Sequence, residues 1–296
     1  ERIREVFSEV ASNVKSFSVI ESDEKPRKGD LVLYCARGGQ RSQSVAGLLQ
    51  RLGWDRVWVV KGGYKSIRKH VREALGEADK LLPERVFVLS GMTGVGKTRI
   101  LHKVEGLREG STLDLEGIAG HRSSLLGHVG LKPSTQKAFD TLLLKRLHEG
   151  FPGGFAVVES ESRKVGDSII PDSVWLGLQN ATRIELVAPI DVRVTRLCEE
   201  YLRDDEHRKD LERALPSLEK VMHGADRGAF VRMLRGGEER ALAKLLIEKW
   251  YDCRYKDRAH GSIATIDTTD EAQCAQQAVE AIEAFMDAQL ENEKSI

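Results

Sequence analysis

Hydrophobic positions along this chain alternate between two periods, and the alternation predicts its elements. Ile3, Val6, Phe7 and Val10 recur at helical spacing within residues 1–15, while Leu31-Val32-Leu33-Tyr34 is a short apolar run of the strand type. Val45, Leu48, Leu49 and Leu52 then share one side of a predicted helix; a second strand runs from Val57 to Val60, and another helix extends to about Leu75. After a charged stretch from Gly76 to Arg85 containing Pro83, the pattern restarts with Val86-Phe87-Val88-Leu89, apolar at every position. Ile100, Leu101, Val104 and Leu107 mark the next helix. Further strands are predicted at Thr112–Leu115, Phe155–Val158, Arg183–Val187 and Ile263–Ile266. Helices are predicted over residues 134–148, through Phe139, Leu142, Leu143 and Leu147, and at the end of the chain, through Val279, Ile282 and Phe285.

Strands regularly separated by helices imply parallel pairing with crossover helices. The expected fold is α/β in two units. Residues 1–80 would form a small parallel sheet, and residues 81–296 a three-layer α/β/α domain with a helical C-terminal part.

Composition changes this picture little. The 296 residues include 46 basic and 46 acidic side chains, and the chain is 41% hydrophobic, which suits folded domains with real cores. Net charge therefore predicts no polyanionic partner by itself. No apolar run reaches the length of a membrane span, and the opening Glu1-Arg2-Ile3-Arg4 does not resemble a signal peptide, so the expectation is a cytoplasmic protein. Cys35, Cys198, Cys253 and Cys274 form no Cys-x-x-Cys pair, which argues against a zinc site or a disulfide framework.

Two segments carry candidate chemistry. Gly91-Met92-Thr93-Gly94-Val95-Gly96-Lys97-Thr98 matches the phosphate-binding loop G-x-x-x-x-G-K-[ST], between an apolar strand and a helix. Gly91, Gly94 and Gly96, with Thr93, let backbone N–H groups turn toward phosphate oxygens at a helix N-terminus. Lys97 would reach the terminal phosphates, and the Thr98 hydroxyl would face Mg²⁺. Asp114, Glu116, Glu159 and Glu161 fall at following strand ends, where carboxylates can hold a metal or order water, although the same positions also suit helix caps. His121, Arg122, Arg163 and Arg193 are candidate anion or RNA contacts. Residues 226–258 offer nine basic side chains with Trp250, Tyr251 and Tyr255 for stacking.

The second segment is Cys35-Ala36-Arg37-Gly38-Gly39-Gln40-Arg41-Ser42, between a strand and a helix. The N–H groups of Gly38 and Gly39 and the helix N-terminus would favour a thiolate at Cys35, while Arg37 and Arg41 supply charge for an anionic donor. A thiolate beside an anion cradle serves both sulfurtransferases and cysteine phosphatases.

The cysteine loop, followed by Lys61-Gly62-Gly63-Tyr64, resembles the second half of a rhodanese domain. Downstream come the phosphate loop, Leu113-Asp114-Leu115-Glu116-Gly117 with His121-Arg122-Ser123, Ser134-Thr135-Gln136-Lys137-Ala138-Phe139, and Val158-Glu159-Ser160-Glu161-Ser162-Arg163. In this order the segments are similar to the bacterial tRNA 2-selenouridine synthase family. The resemblance implies a transferase acting on wobble 2-thiouridine of tRNA. Sulfur would first be geranylated from geranyl diphosphate, and selenium from selenophosphate would then replace the geranylthio group, with Cys35 carrying selenium as a selenylsulfide. The phosphate loop would hold the geranyl donor's diphosphate or a nucleotide. The resemblance also implies a complete rhodanese domain, whose first-half strands and Asp-x-Arg-type motif are not visible; the sequence would then be a fragment, a separate chain would supply them, or the site would be rebuilt. Five residues separate Cys35 from Arg41, one more than in an ordinary thiosulfate rhodanese and the same as in cysteine phosphatases. Two other readings remain open: a phosphatase of that loop type fused to a phosphate-loop kinase, and a phosphate-loop NTPase with a non-catalytic rhodanese module.

Overall fold

A computed structural model describes residues 29–222, 226–255 and 261–294. The helix expected within residues 1–15 lies outside these. Strand β1 (Leu31–Leu33) pairs in parallel with β2 (Val57–Val59), and helix α1 (Gln40–Arg51) connects them. Helix α2 (Gly63–Gly76) follows, then a 3₁₀ turn over Ala78–Leu81. The second unit runs β3 (Arg85–Ser90), α3 (Lys97–Leu107), β4 (Thr112–Leu113), α4 (Leu115–Ala119), α5 (Gln136–Glu149) and β5 (Phe155–Glu159). A hairpin of β6 (Lys164–Val165) and β7 (Ser168–Ile169), which the apolar pattern does not signal, leads to α6 (Asp172–Gln179) and β8 (Thr182–Val187). Then come α7 (Ile190–Tyr201), α8 (Asp205–Val221), α9 (Ala229–Arg235), α10 (Glu239–Leu246), β9 (Ser262–Asp267) and α11 (Glu271–Lys294).

The larger sheet has the order β4-β5-β3-β8-β9 and every pairing in it is parallel. Successive side chains of a strand point to opposite faces, and β3 shows the consequence. Val86 joins a core with α2, α5 and α6, whereas Phe87 and Leu89 join a core with α3 and α11 on the other face. These are the three layers expected. A third apolar cluster binds α8, α9 and α10 together around Leu215, Leu218, Phe230 and Leu234. This helical part is inserted between β8 and β9 rather than appended, and the last strand and helix return to the sheet.

The two units share a core. Ile67, Val71 and Leu75 of α2 are buried together with Phe139, Leu143 and Leu147 of α5, and Ala78 of the 3₁₀ turn is fully buried among them. The segment that reads as a charged linker is therefore part of the packing. Arg68 crosses the junction to Asp140 at 2.5 Å with both side chains nearly buried, and also donates to the Lys137 carbonyl at 3.0 Å. On α1 the burial differs from expectation. Only Ala46 and Leu49 face the β1–β2 sheet, while Val45, Leu48 and Leu52 are exposed, because no described residue covers that side of the helix. Among the described residues, no helix is long and apolar enough to cross a membrane.

Candidate active sites: a cysteine loop and a phosphate loop

Cys35 sits just beyond β1, where a loop turns the chain into the N-terminus of α1. The Gly39 N–H donates to the Cys35 Sγ at 3.2 Å, and the Ser42 hydroxyl, within the first turn of the helix, lies 3.4 Å from the same sulfur. The Ser42 hydroxyl, then the N–H groups of Arg37, Gly39 and Ser42, stabilise the thiolate and bring the Cys35 pKa down to about 6. The loop is held from below by the turn after β2. The Tyr64 N–H donates to the Cys35 carbonyl at 2.8 Å and the Lys65 N–H to the Ala36 carbonyl at 3.2 Å. Gly63 has a φ of +58° and packs so closely that an added Cβ would collide with the Cys35 carbonyl and the Gly38 nitrogen. The Gly62-Gly63 pair is thus the seat of the cysteine loop. Arg37 and Arg41 are exposed on the rim of an open pocket of about 550 Å³ lined also by Cys35, Gly39 and Gln40. Ser42 is the functional residue that motif reading passes over; its signal is a hydroxyl seven positions after the cysteine, inside the first helical turn.

The phosphate loop follows β3 and opens α3. Lys97 donates to the Gly91 carbonyl at 3.0 Å. Gly94, at φ +82°, leaves room for Arg193 directly behind it. Arg193 is buried, donates to the Thr93 carbonyl at 2.8 Å, and is paired with both carboxylate oxygens of Asp252. Arg196 likewise donates to the Val95 carbonyl at 2.8 Å and is bonded to Thr268 and Glu271. Both arginines therefore brace the loop from outside rather than project into it.

Of the four strand-end carboxylates, the fold brings three together. Glu116, Glu159 and Glu161 have oxygens within 4.8 Å of one another, and the Thr98 hydroxyl donates to Glu159 at 2.9 Å and lies 3.4 Å from Glu116. Burial, followed by repulsion from Glu161, raises the Glu116 pKa to about 8. Burial and then Glu116 push Glu159 well above the usual carboxylate range, and burial raises Glu161 against the opposing effect of Lys97. Glu159 Oε1 is buried with no hydrogen-bond partner. An oxygen-only cluster with an unsatisfied buried carboxylate fits a hard divalent cation such as Mg²⁺. Asp114 takes a different place: it caps α4 by accepting from the Gly117 N–H at 2.6 Å and bonds His102 at 2.9 Å.

The remaining candidates are dispersed. Arg122 is paired with Glu200, donates to the Val129 carbonyl at 2.9 Å and lies over the Tyr201 ring. Arg163 pairs with Asp172 on the surface. His121 lines a separate pocket of about 480 Å³ with His128 and Asp167, and burial, reinforced by His128, lowers its pKa. Trp250 is buried under Arg254, and the Tyr255 hydroxyl is 3.3 Å from Glu185, so these aromatics are committed to packing rather than to stacking.

Comparison with known proteins draws the two sites into one family. The family model described as tRNA 2-selenouridine synthase AAA domain matches residues 84–286, and the rhodanese-like domain model matches residues 7–70. The tRNA 2-selenouridine synthase of Shewanella loihica is 37% identical over 175 residues, covering 58% of this chain and 45% of that protein. Its counterpart in Shewanella woodyi is 39% identical over the same length and coverage. That of Psychromonas ingrahamii is 29% identical over 197 residues, covering 66% of this chain and 50% of that protein. The chain spans about half the length of these curated relatives. With a family model matched over residues 84–286, more than half of its length, the chain belongs to the tRNA 2-selenouridine synthase family.

Proposed function

We propose that this protein is a tRNA-modifying transferase that replaces sulfur by selenium at wobble 2-thiouridine, with one step at each loop. The observation that carries the reading is the pairing, in one fold, of a thiolate-stabilising loop at Cys35 with a phosphate loop backed by three clustered carboxylates.

In the first step the 2-thiouridine sulfur attacks C1 of geranyl diphosphate. The C–O bond breaks, pyrophosphate leaves with the electron pair, and the base loses its N3 proton. The Gly91–Thr98 backbone and Lys97 would hold the diphosphate and take up the charge that grows on it. Thr98, Glu116, Glu159 and Glu161 would hold Mg²⁺, which would supply further charge neutralisation to the diphosphate.

In the second step selenium from selenophosphate is added at C2, geranylthiol leaves, and the Se–P bond is hydrolysed to phosphate. Selenium enters at the selenide level and leaves no net oxidation. Alkylation in the first step makes this displacement feasible, since a thiolate leaves more readily than sulfide. The loop of Cys35, Gly38 and Gly39 with Arg37 and Arg41 would seat selenophosphate. The five-residue spacing between Cys35 and Arg41 suits its phosphoryl group.

The test is mass spectrometry of 2-thiouridine tRNA after incubation with the protein, geranyl diphosphate, selenophosphate and Mg²⁺. A selenium-for-sulfur mass shift that disappears with Cys35→Ala is the expected result. Unmodified tRNA accompanied by phosphoester hydrolysis would replace this reading with a phosphatase–kinase fusion.

A further inference from the structure

We infer that the RNA-docking surface of this protein is the basic rim of the cysteine loop, formed by Lys61, Lys65 and Lys137 beside Arg37 and Arg41, and that it grips the phosphodiester backbone flanking the modified base. The inference rests on the reading of tRNA as substrate, and assigns the surface that holds it.

Charge distribution is the first observation. The whole chain is balanced, yet residues 30–77 carry nine lysines and arginines against four acids. Arg56, Arg68 and Lys69 of that stretch are paired with Asp30, Asp140 and Glu73. Arg37, Arg41, Lys61 and Lys65 are exposed, and no acidic side chain pairs with them among the described residues. The helical insert is the opposite case. There Arg208, Arg213, Arg235 and Lys244 each meet a glutamate or aspartate, so part of its positive charge is neutralised by neighbouring acids.

Helix termini give the second observation. The N-terminus of a helix carries partial positive charge and is ordinarily matched by an acid in the first turn. Helices α6, α8, α10 and α11 follow that rule, with Asp172, Asp205 and Glu206, Glu239, and Glu271. Helices α1, α2 and α5 break it: none has an acid in the first turn, and they place Arg41, Lys65 and Lys137 there. Helix α3, the phosphate-loop helix, shares this signature with Lys97 and Arg99. Cations stacked on helix N-termini raise the energy of the unliganded fold and lower it when phosphate is bound.

These termini converge. The Tyr64 N–H bonds the Cys35 carbonyl, the Lys65 N–H bonds the Ala36 carbonyl, and Lys137 Nζ lies 5.9 Å from the Tyr64 ring centroid. The rim thus runs from the cysteine loop across the α2–α5 junction onto the phosphate-loop unit.

The test is fluorescence anisotropy of 2-thiouridine tRNA binding to the full chain across a salt series. The triple variant Lys61→Gln, Lys65→Gln, Lys137→Gln is compared with a control, Lys103→Gln, Lys209→Gln, Lys220→Gln, which removes the same charge from exposed positions on α3 and α8. Loss of three phosphate contacts flattens the slope of log K against log salt by about two to three. The rim variant should show this flattening and a raised KM for tRNA with kcat unchanged, and the control neither. Equal losses in both variants, or a loss confined to the control, would overturn the docking surface while leaving RNA as the substrate. Absence of tRNA binding by the unaltered protein would overturn the substrate reading as well.

Discussion

The loops after β1 and β3 share one plan, strand then glycine turn then helix, but they handle protons in opposite ways. At the first, hydroxyl and N–H donors converge on a single sulfur near the surface, and Cys35 loses its proton easily, at about pH 6. At the second, Glu116, Glu159 and Glu161 crowd together in a buried pocket, and each holds its proton more tightly than a free carboxylate. The backbone plan supplies a positive helix end in both cases. The facing groups set the proton affinity: donors from the cysteine loop and its own helix around Cys35, acids from α4 and from the end of β5 around Thr98. One loop is thereby suited to meet an anion directly, and the other carries a carboxylate cluster suited to a divalent cation.

The sharpest way to break this division is Lys97→Ala. It should slow pyrophosphate release from geranyl diphosphate on the order of 10²- to 10³-fold, while the rate and pH profile of Cys35 alkylation by iodoacetamide stay unchanged. A coupled change in both would show that the loops do not act independently.

Asp140→Ala tests the junction that holds the two loops in one body. It leaves Arg68 nearly buried without its partner, and the expected cost is about 3 kcal/mol in denaturant unfolding.

The carboxylate cluster predicts a pH effect of definite sign. Folded Glu116 keeps its proton up to about pH 8, whereas its ordinary pKa is 4.5. The folded state therefore binds more protons than the unfolded chain between those values, and stability falls as pH rises through that window. Mg²⁺ should reduce the fall, and thermal unfolding from pH 5 to pH 8 with and without the ion measures it.

Ser42→Ala gives the smallest effect. Without that hydroxyl, the midpoint of Cys35 alkylation should move up from about 6 by roughly one pH unit.

Much of this arrangement was legible in the sequence, for local reasons. The run of residues 86–89 before Gly91 is apolar at every position because it is buried on both faces, and the phosphate loop's glycines and Lys97 are fixed by the loop itself. Cys35 and its arginines are equally local. What the sequence could not show depends on long-range pairing. Asp114 and Glu116 lie two residues apart, yet one caps α4 and the other turns into the cluster, a choice made where the chain enters the helix. Arg193 reads as an anion clamp until its partner, Asp252, is brought alongside by the helical insert. Val45, Leu48 and Leu52 read as a buried helix face by spacing alone, and spacing does not reveal whether anything covers them.

The most direct test of the central claim separates the two steps by crossing two variants with two substrates. Cys35→Ala should geranylate 2-thiouridine tRNA but fail to introduce selenium, and Lys97→Ala should fail to geranylate yet still convert pre-geranylated tRNA to the selenium form. Loss of both steps in either variant, read by mass spectrometry of the nucleosides, would contradict the assignment of one step to each loop.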